Sequence, residues 1–261
     1  MRERYDVIII GAGIAGMTAA IYAVRAGKKV LILESRAEGG QILTSNKIEN
    51  WPGEPGISGA ELARKVKEQA KALGAEFKVA TAEEIEKAGA DWRVVAEDET
   101  LETRAIILAM GTKPRKMSVK QTADAGKRAI SYCATCDGAL YKGKPVVVVG
   151  SGNTAKHEMA YLQGVASKVY HIHHDDPIPE DAVAVFVAIG RVPSTEIGRG
   201  VVKLDEEGYV VAGEDCRTST PGIWVAGDCR TKNLRQLITA AADGAIAGAE
   251  VAMYIGGGRW A

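Results

Sequence analysis

Residues 5–34 have the sequence YDVIIIGAGIAGMTAAIYAVRAGKKVLILE, and this stretch decides the fold class. It begins with an apolar run at 5–10, which is typical of a buried strand. Apolar residues then recur at helical spacing until Gly27 ends the helix. They are Ile14, Met17, Ile21 and Val24. A second apolar run at 30–33 predicts the next strand, so the stretch predicts a strand–helix–strand unit of an α/β protein.

A glycine fingerprint joins the first strand to the helix. Gly11, Gly13 and Gly16 have the GxGxxG spacing, and Glu34 closes the second strand about 20 residues further on. The glycines let the backbone approach a pyrophosphate at the helix N-terminus, and the acid can bind a ribose hydroxyl. A bare GxGxxG also fits a tight turn in an ordinary α/β protein. The strand, helix and acid around it here favour a dinucleotide site.

A second fingerprint, Gly150-x-Gly152-x-x-Ala155, follows a CxxC pair formed by Cys133 and Cys136. A dithiol between two potential dinucleotide sites predicts a flavoprotein that passes electron pairs through a disulfide. A helix N-terminus lowers the pKa of a thiol, and cysteines three positions apart on one turn can close a disulfide. The rival interpretation is half of a zinc site, but no second CxxC or suitably spaced Cys/His pair completes it.

Length and charge limit the other possibilities. The 261 residues can form two small domains, and 33 basic residues balance 33 acidic ones. This balance gives no indication of a nucleic acid or an anionic membrane as partner. We expect no segment to approach the roughly 20 apolar residues of a membrane span. We also expect no secretory signal peptide, because the N-terminus lacks the apolar core of one. We therefore expect a cytoplasmic protein, in which a CxxC is catalytic or metal-binding rather than structural. Cys216 and Cys229 are isolated and are expected to be small buried or surface thiols.

Four further stretches carry a resemblance that extends over nearly the whole chain. They are Gly39-Gly40-Gln41-Ile42, Ile48-Glu49-Asn50-Trp51-Pro52-Gly53, Ser131-Tyr132-Cys133-Ala134-Thr135-Cys136-Asp137-Gly138, and Gly222-Ile223-Trp224-Val225-Ala226-Gly227-Asp228 with Arg235-Gln236. In these the chain resembles the low-molecular-weight thioredoxin reductases. The resemblance implies two Rossmann-like domains, an FAD domain at 1–114 and 190–261 and an inserted domain at 115–189 that carries the disulfide. It also implies a homodimer formed through the FAD domain.

The resemblance assigns roles residue by residue. Gly11, Gly13 and Gly16 hold the FAD pyrophosphate, and Glu34 holds the adenosine ribose. The other expected FAD contacts are Gln41, Asn50, the turn at Gly111, Gly227, Asp228, Arg235 and Gln236. Cys136 faces the flavin, Cys133 attacks the partner disulfide, and Asp137 moves a proton during the interchange. The expected partner is a thioredoxin-like protein or a small disulfide. Met110 departs from the family, which usually has Thr there.

The second dinucleotide site departs further from the family. Residues 144–190 hold one strand–helix–strand unit and one more strand, whereas a complete nicotinamide half needs two crossovers. We therefore expect a truncated domain. The family has His-Arg-Arg after the second strand, with arginines that bind the 2′-phosphate of NADPH. Here His174 and Asp175 follow His173. A carboxylate there repels a phosphate but can bind a ribose diol, which favours NADH.

Glu158 still matches a family residue near the nicotinamide and keeps NAD(P)H use open. The residues expected in this degenerate site are Gly150, Gly152, Ala155, Glu158, His174 and Asp175. All four histidines lie in the inserted stretch. His171 and His173 share a strand face and could bind a metal with Asp175 or Asp176, but a solvated strand end is favoured and no metal is expected.

Three functional hypotheses follow. The first is a thioredoxin-reductase-like enzyme whose electrons come from a donor other than NADPH, such as a ferredoxin-type protein. The second is an O2-using dithiol oxidase of the same architecture. The third is a deletion form that binds FAD without turnover, against which the intact Cys133, Cys136 and Asp137 argue.

Overall fold

This computed structural model describes residues 4–173 and 176–258. For residues 119–121 and 153 it describes the backbone only. The chain divides into two compact units. The split unit comprises residues 1–112 and 193–261, and the inserted unit comprises residues 113–192. The sequence-based boundaries of the insert, 115 and 189, lie within three residues of this division.

Thirteen strands lie in the described part of the chain. They are β1 (Arg4–Ile10), β2 (Val30–Glu34), β3 (Glu76–Val79), β4 (Ala82–Ala88), β5 (Asp91–Ala96), β6 (Glu99–Leu108), β7 (Thr112–Pro114), β8 (Ala129–Ser131), β9 (Pro145–Val149), β10 (Lys168–Ile172), β11 (Ala184–Val187), β12 (Arg191–Pro193) and β13 (Ile223–Val225).

Six α-helices accompany them among the described residues. They are α1 (Ile14–Arg25), α2 (Gly59–Ala72), α3 (Val119–Ala125), α4 (Ala134–Asp137), α5 (Asn153–Gln163) and α6 (Leu237–Ile255). Short 3-10 helices span Gly40–Thr44, Gly138–Tyr141 and Glu196–Gly198.

The split unit is built on a seven-stranded sheet with the order β3-β2-β1-β6-β5-β4 and with β13 also paired to β6. β1 pairs in parallel with both β2 and β6, and β13 is parallel to β6. β4, β5 and β6 form an antiparallel meander. The carboxyl ends of β1, β2, β6 and β13 therefore meet at one edge, where ligands of such sheets bind.

Helix α6 packs closely along α1 in the core of the split unit. A Cβ at Gly244 would lie 2.2 Å from the carbonyl oxygen of Ala15, and one at Gly248 would lie 2.4 Å from that of Ala19. By length and composition alone, α6 could cross a membrane, with a mean hydropathy of 1.2. The expectation that no segment approaches such a length was therefore wrong. The contacts with α1 are those of a core helix.

The inserted unit has a four-stranded sheet with the order β10-β9-β11-β8. All three pairings are parallel. The crossover from β9 through α5 to β10 is the predicted unit, whereas the three-residue strand β8 was not foreseen. The described residues between β10 and β11 form no helix. The α/β fold class predicted from the sequence is confirmed.

Candidate functional site

The first glycine turn brings three backbone segments into contact. Gly11 has a φ of +108°, and a Cβ there would lie 2.4 Å from the carbonyl oxygen of Ala109. A Cβ at Gly16 would lie only 1.9 Å from the carbonyl oxygen of Gly11. No side chain fits at these distances, so glycine is required for α1 to pack directly against the end of β1.

Gly13 lies at the open side of this turn. It is the N-cap of α1, no side chain caps the helix, and the first turn carries no acidic residue. A Cβ at Gly13 would meet nothing within 4 Å. A helix start that is uncapped, open and close to glycine backbone fits an anionic pyrophosphate, because its N–H groups and dipole favour negative charge.

Glu34 is held beside the same turn. Its carboxylate accepts hydrogen bonds from the backbone N–H of Ala12, at 2.9 Å, and from that of Arg36, at 3.0 Å. The acid at the end of β2 is thus fixed next to the uncapped start of α1. This is the place at which a dinucleotide ribose is bound in such folds.

Two further pairs join residues far apart in the sequence. The side-chain amide of Gln41 donates to the carbonyl of Thr112 at 2.8 Å, and a Cβ at Gly111 would lie 3.7 Å from that same amide nitrogen. The amide of Asn50 donates to the side-chain oxygen of Gln236 at 3.0 Å. Gln41 therefore lies beside Gly111, and Asn50 is hydrogen-bonded to Gln236. All four residues are expected FAD contacts of the split unit.

The turn at Gly227 and Asp228 is braced from two sides. The N–H of Gly227 donates to the Asp243 carboxylate at 2.9 Å. Arg235 donates to the carbonyl of Asp228 at 3.2 Å and stacks 4.0 Å from the ring centre of Tyr209. The turn that carries the expected FAD contacts Gly227 and Asp228 is thus held by Asp243 and by Arg235, which is itself an expected FAD contact.

Asp243 is the centre of a buried ionic cluster that sequence reasoning missed. Its carboxylate accepts from Arg230, at 2.9 Å on each oxygen, and from Lys232 at 2.7 Å. Asp243 is only 3% exposed. Burial alone would raise the pKa of Asp243, but the hydrogen bonds from Arg230 and Lys232 outweigh burial and hold the pKa below its usual range. The only sequence signal is an acid within a helix otherwise rich in Ala and Gly.

The start of α6 is a capping box. Gln236 is the N-cap, and its N–H donates to the hydroxyl of Thr239 at 3.1 Å. The helix itself begins at Leu237. Gln236 therefore lies at the positive end of α6, where the helix dipole stabilises negative charge such as that of a reduced flavin.

In the inserted unit, Cys133 and Cys136 form a disulfide with their Cα atoms 5.3 Å apart. Cys133 is the N-cap of α4, and its sulfur accepts from the backbone N–H of Cys136 at 3.2 Å. Such a contact stabilises a thiolate on Cys133 once the disulfide is reduced. Of the two sulfurs, Cys133 is therefore the one prepared to act as the nucleophile.

Two carboxylates bracket this disulfide. Asp137 accepts from the hydroxyl of Ser131 at 2.7 Å, and the N–H of Cys133 donates to that same hydroxyl oxygen at 3.1 Å. Glu158, from α5, accepts from the backbone N–H of Ala134 between the two cysteines. Sequence reasoning assigned Asp137 through the resemblance but missed Ser131 and placed Glu158 only in a nucleotide site.

The other two cysteines are fully buried, which agrees with one of the two sequence expectations. Burial raises the pKa of Cys216 to about 12 and that of Cys229 to about 11. Neither thiol ionises near neutral pH, so neither competes with Cys133 and Cys136 in thiol exchange.

The second glycine turn, in the inserted unit, has a backbone like that of the first. A Cβ at Gly150 would lie 2.3 Å from the carbonyl oxygen of Ala188, and Gly152 is the open N-cap of α5. Ala155 is buried, and a ring nitrogen of His171 lies 2.6 Å from the carbonyl oxygen of Gly150. His174 and Asp175 lie outside the described residues.

The rings of His171, on β10, and His173, just after the end of β10, lie close together. The ring centroids of His171 and His173 are 5.5 Å apart, as expected for one strand face. The N–H of His173 donates to the Asp176 carboxylate at 2.8 Å. Within residues 4–173 and 176–258, no three His, Cys, Asp or Glu side chains are arranged to hold a metal ion.

Comparison with known proteins places the chain in a family. The pyridine nucleotide-disulphide oxidoreductase family matches residues 5–181 and 175–244. A thioredoxin reductase of Listeria innocua is 35% identical over 299 residues, which covers 96% of this chain and 94% of that protein. The chain belongs to the pyridine nucleotide-disulphide oxidoreductase family. The aligned length exceeds the 261 residues of this oxidoreductase, so the relative carries residues that it lacks.

Solved structures agree with this assignment. The crystal structure of thioredoxin reductase from Streptococcus pyogenes matches this oxidoreductase with a TM-score of 0.90 at 33% identity, covering 99% of this chain and 100% of that chain. A ferredoxin-flavin thioredoxin reductase from Clostridium acetobutylicum matches with a TM-score of 0.63 at 28% identity, covering 99% and 100%. The resemblance stated from the motifs is confirmed, and the chain is a flavin-dependent disulfide reductase with FAD as its cofactor.

Proposed function

We propose that this reductase transfers electron pairs between FAD in the split unit and a thioredoxin-like protein disulfide, through Cys133 and Cys136. The observation that carries the proposal is the intact disulfide, with Cys133 at the N-cap of α4 and the Ser131–Asp137 hydrogen bond beside it. The names of the Listeria and Streptococcus relatives support the same partner class. A small disulfide substrate is the alternative acceptor.

The residues that hold FAD lie along one edge of the split unit. The open turn at Gly11, Gly13 and Gly16 accommodates the pyrophosphate, and Glu34 binds the adenosine ribose. The Asp228 turn, braced by Arg235, binds the ribityl-phosphate side. Gln41, Asn50, Gly111 and Gln236 contact the flavin. When bound, FAD would supply a two-electron carrier for the thiol chemistry of Cys133 and Cys136.

The dithiol half-reaction balances on this chain's own residues. The Cys133 thiolate attacks one sulfur of the partner disulfide and forms a mixed disulfide, while the other partner sulfur leaves with a proton from Asp137. Asp137 then takes the Cys136 proton, and the Cys136 thiolate attacks Cys133, releases the partner's second sulfur as a thiolate and reforms the Cys133–Cys136 bond. The pair loses two electrons and one proton, and the partner gains two electrons and one proton.

We further propose that NADPH is a poor electron donor. The inserted sheet has four parallel strands, and the described residues between β10 and β11 form no helix, whereas the crossovers of a complete nicotinamide half usually carry helices. In sequence, Asp175 stands where the family has a phosphate-binding arginine. Replacing that contact costs about 1.5–3 kcal/mol, or roughly tenfold to a hundredfold in affinity. The Clostridium ferredoxin-flavin relative supports a ferredoxin-type donor.

The test is anaerobic stopped-flow reduction of the flavin by NADPH, NADH and reduced ferredoxin in parallel. A full-length NADPH-dependent thioredoxin reductase serves as the control protein. We expect ferredoxin to bleach the flavin and micromolar NADPH to do so far more slowly than in the control. Rapid bleaching by NADPH would overturn this proposal and show that the chain is an ordinary NADPH-dependent reductase. Rapid reoxidation by O2 with a dithiol as the sole donor would favour an oxidase.

Assembly and location belong to the same proposal. We propose a cytoplasmic homodimer formed through the split unit, with neither nucleic acid nor membrane as partner. The family resemblance and the net charge of +0 support this. Sedimentation of the purified holoprotein at several concentrations measures the dimer, and fractionation of cells measures the location.

A further inference from the structure

Glu158 contacts the redox helix from a neighbouring element. It lies on α5, is half-buried, and accepts a hydrogen bond from the backbone N–H of Ala134. Ala134 is fully buried and is the first residue of α4, between Cys133 and Cys136. The carboxylate therefore occupies the same N-terminal end of α4 at which the Cys133 sulfur accepts a hydrogen bond.

This placement sets two negative groups in competition. A carboxylate and a thiolate are both stabilised by the N–H groups at the start of a helix, and each disfavours the charge of the other. While the disulfide is closed, Cys133 carries no charge and Glu158 has the helix start to itself. Reduction introduces a thiolate there, so ionised Glu158 becomes less favourable at that moment.

Charges from each neighbouring element act on Glu158. Burial raises its pKa most, the Ala134 N–H lowers it, and Asp137 on α4 raises it again. Arg191 on β12 and His157 on α5 itself lower it by smaller amounts. The net effect holds the Glu158 pKa above the ordinary 4.5 even with the disulfide closed. Asp137 also raises the pKa of Tyr141 nearby, after the larger effect of burial.

We propose that Glu158 is a proton-holding positioning residue of the Cys133–Cys136 pair, which takes up a proton when the disulfide is reduced and releases it when the disulfide reforms. The step balances: the disulfide gains two electrons, one proton binds the Cys136 sulfur, one binds Glu158, and Cys133 remains a thiolate. This inference rests on the proposed redox function of the pair. It adds a second carboxyl group to Asp137, with a different partner and a different helix.

The test compares the wild-type holoprotein with Glu158→Gln, which retains an oxygen to accept the Ala134 N–H but cannot hold the proton. Glu180→Gln, at an exposed position of the inserted unit, is the control. Each protein is equilibrated with dithiothreitol redox buffers between about pH 5.5 and 8.5. This range extends to both sides of neutrality and reaches the ordinary pKa of a free thiol. The disulfide fraction is counted by alkylation and mass shift. The pH dependence of Cys133 alkylation is measured in parallel.

We expect wild type and Glu180→Gln to take up two protons per electron pair at a pH where Cys133 already reacts as a thiolate. Glu158→Gln takes up one. Because dithiothreitol releases two protons on oxidation below its own thiol pKa, the exchange equilibrium constant should be constant with pH in wild type and rise tenfold per pH unit in Glu158→Gln, which corresponds to about 30 mV per pH unit. Its Cys133 alkylation rises in one step and at lower pH than in wild type, because the competing charge is gone.

Two other outcomes separate the possible failures. If the wild-type disulfide does not equilibrate with the dithiol buffer at all, the proposed function itself fails. If it equilibrates but Glu158→Gln has the wild-type proton count and alkylation profile, the role of Glu158 is overturned while the function stands. The wild-type protein alone also decides the matter if the variant does not fold, since uptake of a single proton with Cys133 as thiolate contradicts the inference.

Discussion

The two glycine turns of this chain have nearly the same backbone and different surroundings. Cβ atoms at Gly11 and Gly150 would meet backbone oxygens at 2.4 and 2.3 Å, and Gly13 and Gly152 are both open N-caps. In the split unit, Glu34 accepts from the turn at Ala12. In the inserted unit, the corresponding strand instead places a His171 nitrogen against the Gly150 carbonyl.

The difference shows that a glycine turn is not by itself a nucleotide site. The turn follows from local backbone requirements, which both stretches satisfy. Which ligand binds at the turn depends on the side chains of the next strand and on the number of strands in the sheet. The first turn lies in a seven-stranded sheet with an acid in place, and the second lies in a four-stranded sheet. This difference supports the proposal that FAD binds at the first turn and that the unit with the second turn carries the redox disulfide.

The largest expected effect comes from the third position of each fingerprint. Gly16→Ala would drive a Cβ to 1.9 Å from the Gly11 carbonyl oxygen, so α1 must move away from β1. Backbone atoms cannot rotate out of the way as a side chain can, so the turn must distort, and we expect complete loss of bound FAD. The measurement is flavin absorbance per chain after purification with added FAD.

Ala155→Gly is the matched change in the inserted unit. It removes a buried methyl group and lowers helix propensity, which together cost about 1–2 kcal/mol without displacing backbone. FAD content should stay at the wild-type value. Equal flavin content in Gly16→Ala and Ala155→Gly would show that the first turn is no more constrained than the second.

The next effect tests the ionic cluster, which has no equivalent among the described residues of the inserted unit. Asp243→Asn leaves Arg230 and Lys232 buried without their carboxylate and should cost about 3–5 kcal/mol of unfolding free energy. Glu250→Gln, in the same helix, breaks a more exposed pair with Arg217 and should cost at most about 1 kcal/mol. Urea unfolding at neutral pH measures both.

The same cluster sets a pH dependence. Because the folded pKa of Asp243 lies below the ordinary 3.8, its stabilisation is complete at pH values above the ordinary one and is lost as pH falls through the folded pKa. The difference in unfolding free energy between wild type and Asp243→Asn should therefore be constant near neutrality and shrink in acid. If the difference in unfolding free energy between wild type and Asp243→Asn grew as the pH fell, the lowered pKa of Asp243 would be contradicted.

The smallest effect concerns the polar partner of each turn. Glu34→Gln loses a charged acceptor for Ala12 and for a ribose diol, worth about 1.5–3 kcal/mol, so FAD should bind roughly tenfold to a hundredfold more weakly. His171→Gln alters the contact at Gly150 and should leave FAD affinity unchanged. Fluorescence titration of apoprotein with FAD measures both dissociation constants. Similar weakening in the two variants would remove the distinction between the turns.

The elements that sequence reasoning predicted well are those with strong periodicity. The strand at 5–10, α1 and β2 all lie within two residues of their predicted ends. Their signals are local: apolar spacing, glycine turns and an acid at a strand end. The CxxC pair was found for the same reason, since both cysteines and their helix lie within residues 133–137.

Long-range polar contacts could not be predicted in this way. Arg230 and Lys232 contact Asp243 because the loop after β13 folds back onto α6. No fixed spacing in the sequence predicts such a contact. Glu158 meets Ala134 across 24 positions because β9 brings α5 against α4. Strand β8 has three residues, too few for a period.

The most direct test of the account is anaerobic reaction of the holoprotein with an excess of dithiol, followed at the flavin absorbance. We predict that wild type is fully bleached, because electrons enter at Cys133 and Cys136 and pass to FAD. The double variant Cys133→Ser with Cys136→Ser should keep its FAD and stay yellow. Bleaching of the double variant at the wild-type rate, or a wild-type flavin that does not respond to dithiol, would contradict the central claim.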